Sequence, residues 1–183
     1  MRVIAGSAKG VRLGAVPPGV RPVSDRVREG VFSSLGALVE GARVVDLFAG
    51  TGAMGIEALS RGAEHALFVD RSRRSLDAVR DNLARTRLED RASVILGDAT
   101  DFVMRDVHSE EATFDLVLAD PPYDHPVEQV ERLLEVLASG HPRPRGVLLT
   151  RAMRRSELVL PVHWGTSRRL EYGDTAVLFL REA

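Results

Sequence analysis

The chain of 183 residues contains no cysteine. This absence excludes a disulfide framework and any metal site built on thiolates. The five histidines show no spacing typical of metal ligands, so we expect no metal. The sequence also lacks an apolar N-terminal run of signal-peptide length, and no apolar stretch approaches the roughly 20 residues that a transmembrane helix needs. These absences predict a soluble, cytoplasmic protein without a membrane partner.

The chain has no excess of charge of one sign. It carries 25 basic and 26 acidic residues, so its net charge of −1 does not indicate nucleic acid. The distribution is uneven, because residues 1–30 hold six basic and two acidic side chains, a local charge of +4. Such a segment could lie along phosphate groups. The candidate phosphate contacts are Arg2, Lys9, Arg12, Arg21, Arg26 and Arg28.

From Ala42 onward, short apolar runs alternate with amphipathic helical patterns. This alternation predicts an α/β fold, in which helices cover both faces of a parallel sheet. The last two runs are joined by Gly173-Asp174, a hairpin signal, so the sheet is not purely parallel. The predicted strands are residues 44–48, 66–69, 93–96, 114–119, 146–150, 167–172 and 175–180, and the predicted helices are residues 53–61, a segment capped by Ser72, 100–107 and 127–137.

Residues 1–41 depart from this alternation. The runs 3–5 and 11–13 flank a turn with two glycines and predict a small hairpin. Ser24 could then cap a helix that has Val27 and Val31 on one face. We therefore expect a short basic N-terminal extension, a hairpin and a helix, over residues 1–41, and the main domain over residues 42–183.

A glycine loop follows the first predicted strand, in the segment "VVDLFAGTGAMG". Gly50, Gly52 and Gly55 fit the pattern G-x-G-x-x-G between a strand and a helix, and Asp70 ends the next strand 20 positions after Gly50. This pattern matches the dinucleotide fingerprint, so an NAD-binding protein is one interpretation. An acid at the end of the second strand suits the ribose of any adenosine-containing cofactor.

Aspartates end four successive predicted strands. Asp46 precedes Gly50 by four residues, where it would repel a pyrophosphate but attract the ammonium and sulfonium groups of S-adenosylmethionine. Asp98 could accept a hydrogen bond from an adenine amine. Since the carboxyl ends of parallel strands line the ligand crevice of an open α/β sheet, we expect all four to meet there. They are Asp46, Asp70, Asp98 and Asp120.

Five blocks of the sequence resemble, in order, those of one enzyme family, the bacterial 16S ribosomal RNA guanine-N2 methyltransferases. The resemblance covers nearly the whole chain, and the N-terminal blocks are its most specific part. Val23 departs from the family pattern, which has threonine after Arg-Pro. The blocks are "RVIAGSAKGVRL" (residues 2–13), "RPVSDRVREGVF" (21–32), "DLFAGTGAMGIEALSRGA" (46–63), "DPPY" (120–123) and "YGDTAVL" (172–178).

This resemblance implies a Rossmann-like class I methyltransferase with a seven-stranded, mostly parallel sheet and one antiparallel strand. It implies S-adenosylmethionine as cofactor and, as partner, 16S ribosomal RNA within an assembling small ribosomal subunit. The basic N-terminal extension would dock that RNA. The implied cofactor-binding residues are Asp46, Phe48, Gly50, Gly52, Asp70, Arg71, Asp98, Ala99 and Asp120, and the implied catalytic residues are Asp120, Pro121, Pro122 and Tyr123.

The DPPY segment suits methylation of an exocyclic amine. The lone pair of the guanine amine is delocalised into the ring, so the enzyme must localise it on the nitrogen. Asp120 and the Pro121 carbonyl could accept the two N–H bonds and stabilise the positive charge that develops. The prolines fix the backbone that aims this carbonyl, and Tyr123 could stack on the base.

Alternative functions share parts of these patterns. Adenine-N6 methyltransferases of DNA or RNA use the same DPPY chemistry, although 183 residues leave no room for a separate target-recognition domain. Protein glutamine methyltransferases resemble this site but have NPPY, whereas the first residue here is Asp120. An NAD-binding oxidoreductase would account for the glycine loop alone. The choice of guanine over adenine as the target base rests on the family resemblance, because the DPPY motif itself does not distinguish the two bases.

Overall fold

The computed structural model describes residues 1–16, 23–106, 114–122, 124–139, 144–152 and 158–183. Helices and strands follow one another in this part of the chain as the apolar runs predict, and their ends differ from the predicted ones by at most three residues. The elements are α1 (Asp25–Leu35), β1 (Arg43–Leu47), α2 (Ala53–Ser60), β2 (His65–Asp70), α3 (Arg73–Thr86), β3 (Ala92–Leu96), α4 (Ala99–Asp106), β4 (Leu116–Ala119), α5 (Val127–Ser139), β5 (Gly146–Ala152), β6 (Trp164–Tyr172) and β7 (Thr175–Glu182).

These strands form one sheet of seven in the order β3-β2-β1-β4-β5-β7-β6. Strands β1 to β5 are parallel, and β7 is antiparallel to both of its neighbours, β5 and β6. Gly173 turns the chain between β6 and β7 with φ 58°, in the left-handed region that favours glycine. The described strands thus confirm a mostly parallel sheet with one antiparallel strand. The order reverses between β1 and β4, which leaves a crevice at their carboxyl ends.

Helices cover both faces of the sheet because successive strand residues point to opposite faces. Val44 of β1 packs in a core with α1, α2 and α3, whereas Val45 packs in a second core with α4 and α5. Helix α3 shows how the pattern works: Ser72 caps it by accepting the Ser75 N–H at 3.3 Å, and Leu76 is among its buried residues. No helix of the described ranges is long and apolar enough to cross a bilayer.

The N-terminal residues form a small hairpin that packs on the first core. Val3 and Val11 are joined by a backbone hydrogen bond of 3.0 Å, and Val3 belongs to the same buried cluster as Val44. Glu57 of α2 is fully buried and accepts the N–H groups of Ile4 and Ala5 at 2.8 and 3.1 Å. We call residues 1–14 the N-terminal hairpin. It is attached to the sheet domain by buried apolar and polar contacts.

Candidate functional site

A cavity of about 710 Å³ opens at the carboxyl ends of β1, β2, β4 and β5. It lies where the strand order reverses, the position at which open α/β sheets bind ligands. The structure brings all four of the strand-end aspartates to its lining, together with both prolines that follow β4. Those aspartates are Asp46, Asp70, Asp98 and Asp120.

The glycine loop forms one wall of the cavity. Phe48, Gly50 and Gly52 all have positive φ, of 64°, 56° and 74°. A β-carbon on Gly52 would lie 3.2 Å from the Val79 side chain, and one on Gly55 would overlap the Phe68 ring. Glycine is therefore required both by the backbone conformation and by the close approach of α2 to the sheet. Gly50 lines the cavity, where the absence of a side chain leaves the backbone open to a ligand, whereas Gly52, a predicted cofactor contact, faces Val79 and Phe68 and is not part of the cavity lining.

Asp46 is the most buried acid of the cavity. Its Oδ2 accepts the Gly55 N–H at 2.9 Å, and the residue is only 2% exposed. Burial raises the pKa of Asp46 well above its usual value, the Gly55 hydrogen bond lowers it in part, and the charges of Asp120 and Asp70 raise it further. A cation bound in the cavity would relieve this accumulation of negative charge.

Asp70 and Asp98 are held in place by backbone N–H groups. Asp70 accepts from Gly50 through Oδ2 at 2.8 Å and from Ser72 through Oδ1 at 2.7 Å. Each of its oxygens keeps a second acceptor position, which suits the hydroxyl groups of a ribose. Asp98 accepts the Thr100 N–H at 2.8 Å through Oδ1, so its Oδ2 can face an amine. Three further predicted cofactor contacts also line the cavity: Phe48, Arg71 and Ala99.

The residues that follow β4 form the opposite wall. Burial raises the pKa of Asp120 to about 7. The Pro122 carbonyl accepts the His125 N–H at 2.9 Å and closes a turn, so this bond engages the second proline rather than Pro121. The His125 ring meets the Phe48 ring edge-on, with centroids 5.1 Å apart. Tyr123, the predicted base-stacking residue, lies outside the described residues.

Five residues that the sequence patterns did not predict also line the cavity. Val23 and Val27 of the N-terminal extension line the cavity, as do Thr150 at the end of β5 and Tyr172 and Thr175 beside the β6–β7 turn. The helical pattern of α1 and the "YGDTAVL" block each marked a segment of interest in the sequence. Neither pattern indicated that the two segments lie together at the cavity. The first core explains the meeting, since α1 and β7 contribute to the same buried cluster and Gly30 of α1 closely approaches the Tyr172 hydroxyl.

The predicted phosphate contacts of the N-terminal extension do not all reach the surface. Arg2, Lys9, Arg12 and Arg26 are exposed. Arg28 is fully buried, and its Nη2 donates to the Arg2 carbonyl at 2.7 Å and to Asp25 at 2.5 Å. In this structure Arg28 joins α1 to the N-terminal hairpin instead of facing solvent. Arg21 lies outside the described residues, and the described ranges contain no cluster of metal-ligating side chains.

Comparisons with known proteins agree with this architecture. Residues 1–181 match the family model described as "Conserved hypothetical protein 95". The "Ribosomal RNA small subunit methyltransferase D" of Escherichia coli K12 is 32% identical over 188 aligned positions, which cover 100% of this chain and 91% of the relative. The "Putative rRNA methyltransferase YlbH" of Bacillus subtilis is 44% identical over 124 residues, 67% of each chain.

Solved structures share the fold. The "Putative methyltransferase yhhF" of Escherichia coli superposes with a TM-score of 0.83 at 28% identity, over 100% of this chain and 97% of its own. The Rossmann-like methyltransferase architecture predicted from the sequence is therefore confirmed.

Proposed function

Because the chain belongs to the family described as "Conserved hypothetical protein 95", we propose that it methylates 16S ribosomal RNA with S-adenosylmethionine, at N2 of one guanine. The relatives support the RNA part of this proposal, since the two curated ones are named as ribosomal RNA methyltransferases and one name specifies the small subunit. Guanine N2 rests on the resemblance of the N-terminal and DPPY blocks to the guanine-N2 family.

The crowding of acids in the cavity is the observation that carries the choice of cofactor. The charges of Asp120 and Asp70 both act on Asp46, and burial already disfavours the charged form of Asp46. A pyrophosphate would add negative charge to this site, whereas the ammonium and sulfonium groups of S-adenosylmethionine would neutralise it. The donor set fits the whole cofactor. Asp46 and the loop of Gly50 and Gly52 would hold its methionine end, Asp70 its ribose and Asp98 its adenine.

The cofactor, when bound, supplies an activated methyl group and its own leaving group, and the protein's residues prepare the amine. Ionised Asp120 and the Pro121 carbonyl would accept the two N–H bonds of the amine and steady the charge that develops on nitrogen. A base in a helix cannot reach Asp120, so the target must be unpaired or flipped out. Val23, Val27 and Tyr172 would then border the base. Holding the amine near the methyl group in line with its leaving group supplies much of the rate.

The exposed cations of the N-terminal extension would dock the RNA backbone. Arg2, Lys9 and Arg12 all belong to the N-terminal hairpin, and Arg26 lies on α1, whose first turn borders the cavity through Val27. Contacts with phosphate hold RNA without reading its sequence, so the shape of the small subunit would select the nucleotide.

One experiment tests this function directly. The protein is incubated with S-adenosylmethionine labelled in the methyl group and with unmodified small subunits, naked 16S RNA or duplex DNA. The product nucleoside is then identified by mass spectrometry. We expect N2-methylguanosine at one position of the RNA. N6-methyladenine, or label only in DNA, would replace this proposal with an adenine methyltransferase.

A further inference from the structure

A buried side chain joins the N-terminal hairpin to the glycine loop. Asn82 of α3 is fully buried, and its Oδ1 accepts the Gly14 N–H at 2.7 Å while its Nδ2 donates to the Thr51 carbonyl at 2.9 Å. An N–H can only donate and a carbonyl can only accept, so the two partners fix the orientation of the amide. Gly14 and Thr51 lie 68 and 31 residues before Asn82 in the chain. The side chain therefore bridges two backbone segments that are 37 residues apart.

The two ends of this bridge belong to different parts of the molecule. Thr51 lies between the left-handed residues Gly50 and Gly52 and lines the cavity. Gly14 ends the N-terminal hairpin, and of the described residues 1–16 none lines the cavity. Asn82 thus connects a segment outside the site to a loop of the site.

The same hairpin is also held by α2, the helix that follows the glycine loop. Ser60 Oγ accepts the Ala8 N–H at 3.0 Å and donates to the Ala5 carbonyl at 2.6 Å. Glu57, on the same helix, accepts hydrogen bonds from two more N–H groups of the hairpin. The hairpin therefore contacts α2, which follows the glycine loop, and α3, which carries Asn82, and Asn82 links it to the loop itself.

We propose that Asn82 is a positioning residue for the cofactor, through which the N-terminal hairpin sets the affinity of the glycine loop. Removal of the Asn82 side chain leaves the Gly14 N–H and the Thr51 carbonyl unpaired, and removal of the Gly14 N–H leaves Asn82 Oδ1 unpaired, so that the amide is no longer fixed in the orientation that holds Thr51. The loop then samples conformations that bind the methionine end of the cofactor less well. This inference rests on the proposed function only in taking S-adenosylmethionine as the cofactor.

The test measures the dissociation constant of S-adenosylmethionine by calorimetry for Asn82→Ala, Gly14→Pro and the double variant. Proline has no N–H, so Gly14→Pro breaks the bridge from the hairpin side. We expect binding to weaken about tenfold in Asn82→Ala and about fivefold in Gly14→Pro. The double variant should bind no more weakly than Asn82→Ala, because both changes break one connection. The KM for the cofactor should rise while kcat at saturating cofactor stays within about twofold.

A matched variant separates this role from general loosening of the fold. Thr86→Val removes a buried hydroxyl of α3 that donates to the Asn82 backbone carbonyl within the helix. This variant should bind the cofactor like the wild type. Wild-type cofactor affinity in Gly14→Pro would overturn the inference. So would a double variant whose loss of affinity is the product of the two single losses. If Asn82→Ala does not fold, the affinity of Gly14→Pro decides the question by itself. A wild-type protein that binds no S-adenosylmethionine would instead overturn the proposed function.

Discussion

The hydroxyl of Tyr172 occupies the space beside Gly30 that a β-carbon would need. Gly30 lies inside α1, where glycine costs about 1 kcal/mol relative to alanine. That cost is offset because the close approach lets α1 pack against the end of β6. Tyr172 and the first turn of α1 both line the cavity, so this contact shapes the wall where the target base would lie.

Gly30→Ala should therefore destabilise the protein, although alanine is the better helix former. We expect the free energy of unfolding in urea to fall by about 1–3 kcal/mol, the usual cost of overpacking. Transfer to RNA should slow while cofactor affinity stays unchanged. Gly165→Ala is the matched control, because its β-carbon would meet Ala183 at an ordinary 3.8 Å. A Gly30→Ala protein as stable as the wild type would contradict the role given to Tyr172.

The pH profile of transfer should report Asp120. Ionised Asp120 accepts the amine hydrogen bonds more strongly and stabilises the positive charge that develops on nitrogen, and burial raises the pKa of Asp120 to about 7 in the free protein. The kcat/KM for the cofactor should then rise with pH through about 7, and kcat should have a lower midpoint because bound cofactor favours the carboxylate. Asp120→Asn should lose more than about a hundredfold in kcat. Loss of cofactor binding with little change in kcat would assign Asp120 to the cofactor instead.

The stability of the protein should also depend on this raised pKa. The folded state keeps the Asp120 proton to higher pH than the unfolded chain, so this group favours folding at low pH. That contribution is lost as the pH rises from about 4 through about 7. In Asp120→Asn, the free energy of unfolding should fall less steeply over this range, although Asp46 adds a decline of the same sign. Parallel curves for the two proteins would show that the Asp120 pKa is not raised in the folded state.

Glu57→Ala should weaken the attachment of the N-terminal hairpin. The buried carboxylate accepts two backbone N–H groups and pairs with Arg61 at 2.7 Å, so its removal leaves three donors without this partner. We expect the free energy of unfolding to fall by about 3 kcal/mol, measured by urea denaturation. Asp77→Ala breaks the exposed pair with Arg80 and should change it by less than about 1 kcal/mol. Equal effects of the two variants would refute this account of Glu57.

Lys9→Ala and Arg12→Ala should each weaken RNA binding without changing cofactor affinity. Each removes an exposed cation from the hairpin, so the slope of log affinity against log salt should become shallower by about 1 per variant. Filter binding to 16S RNA at several salt concentrations measures this slope. Arg80→Ala, which removes a cation from α3, is the control and should keep the wild-type slope. If all three variants behave alike, the N-terminal extension does not dock the RNA.

Local patterns predicted most of the fold and the cofactor side of the cavity. The glycine loop and the acids at strand ends are readable because strand, turn and helix signals depend on neighbouring residues. Once the strands are parallel, their carboxyl ends share one edge, so Asp46, Asp70, Asp98 and Asp120 had to approach one another. The hairpin signal at Gly173 likewise predicted the antiparallel strand.

The sequence by itself therefore determined the α/β alternation, the glycine loop and the set of acids at one edge of the sheet. Only the tertiary structure decided that Arg28 is buried among N-terminal contacts while Lys9 is exposed, and that Val23 and Tyr172 line the same cavity as Asp120. It also decided that Asn82 joins Gly14 to Thr51, across separations of 68 and 31 residues. The physical reason is that such contacts depend on how α1, α3 and the hairpin pack on the sheet, and packing over long separations leaves no periodic signal in the chain.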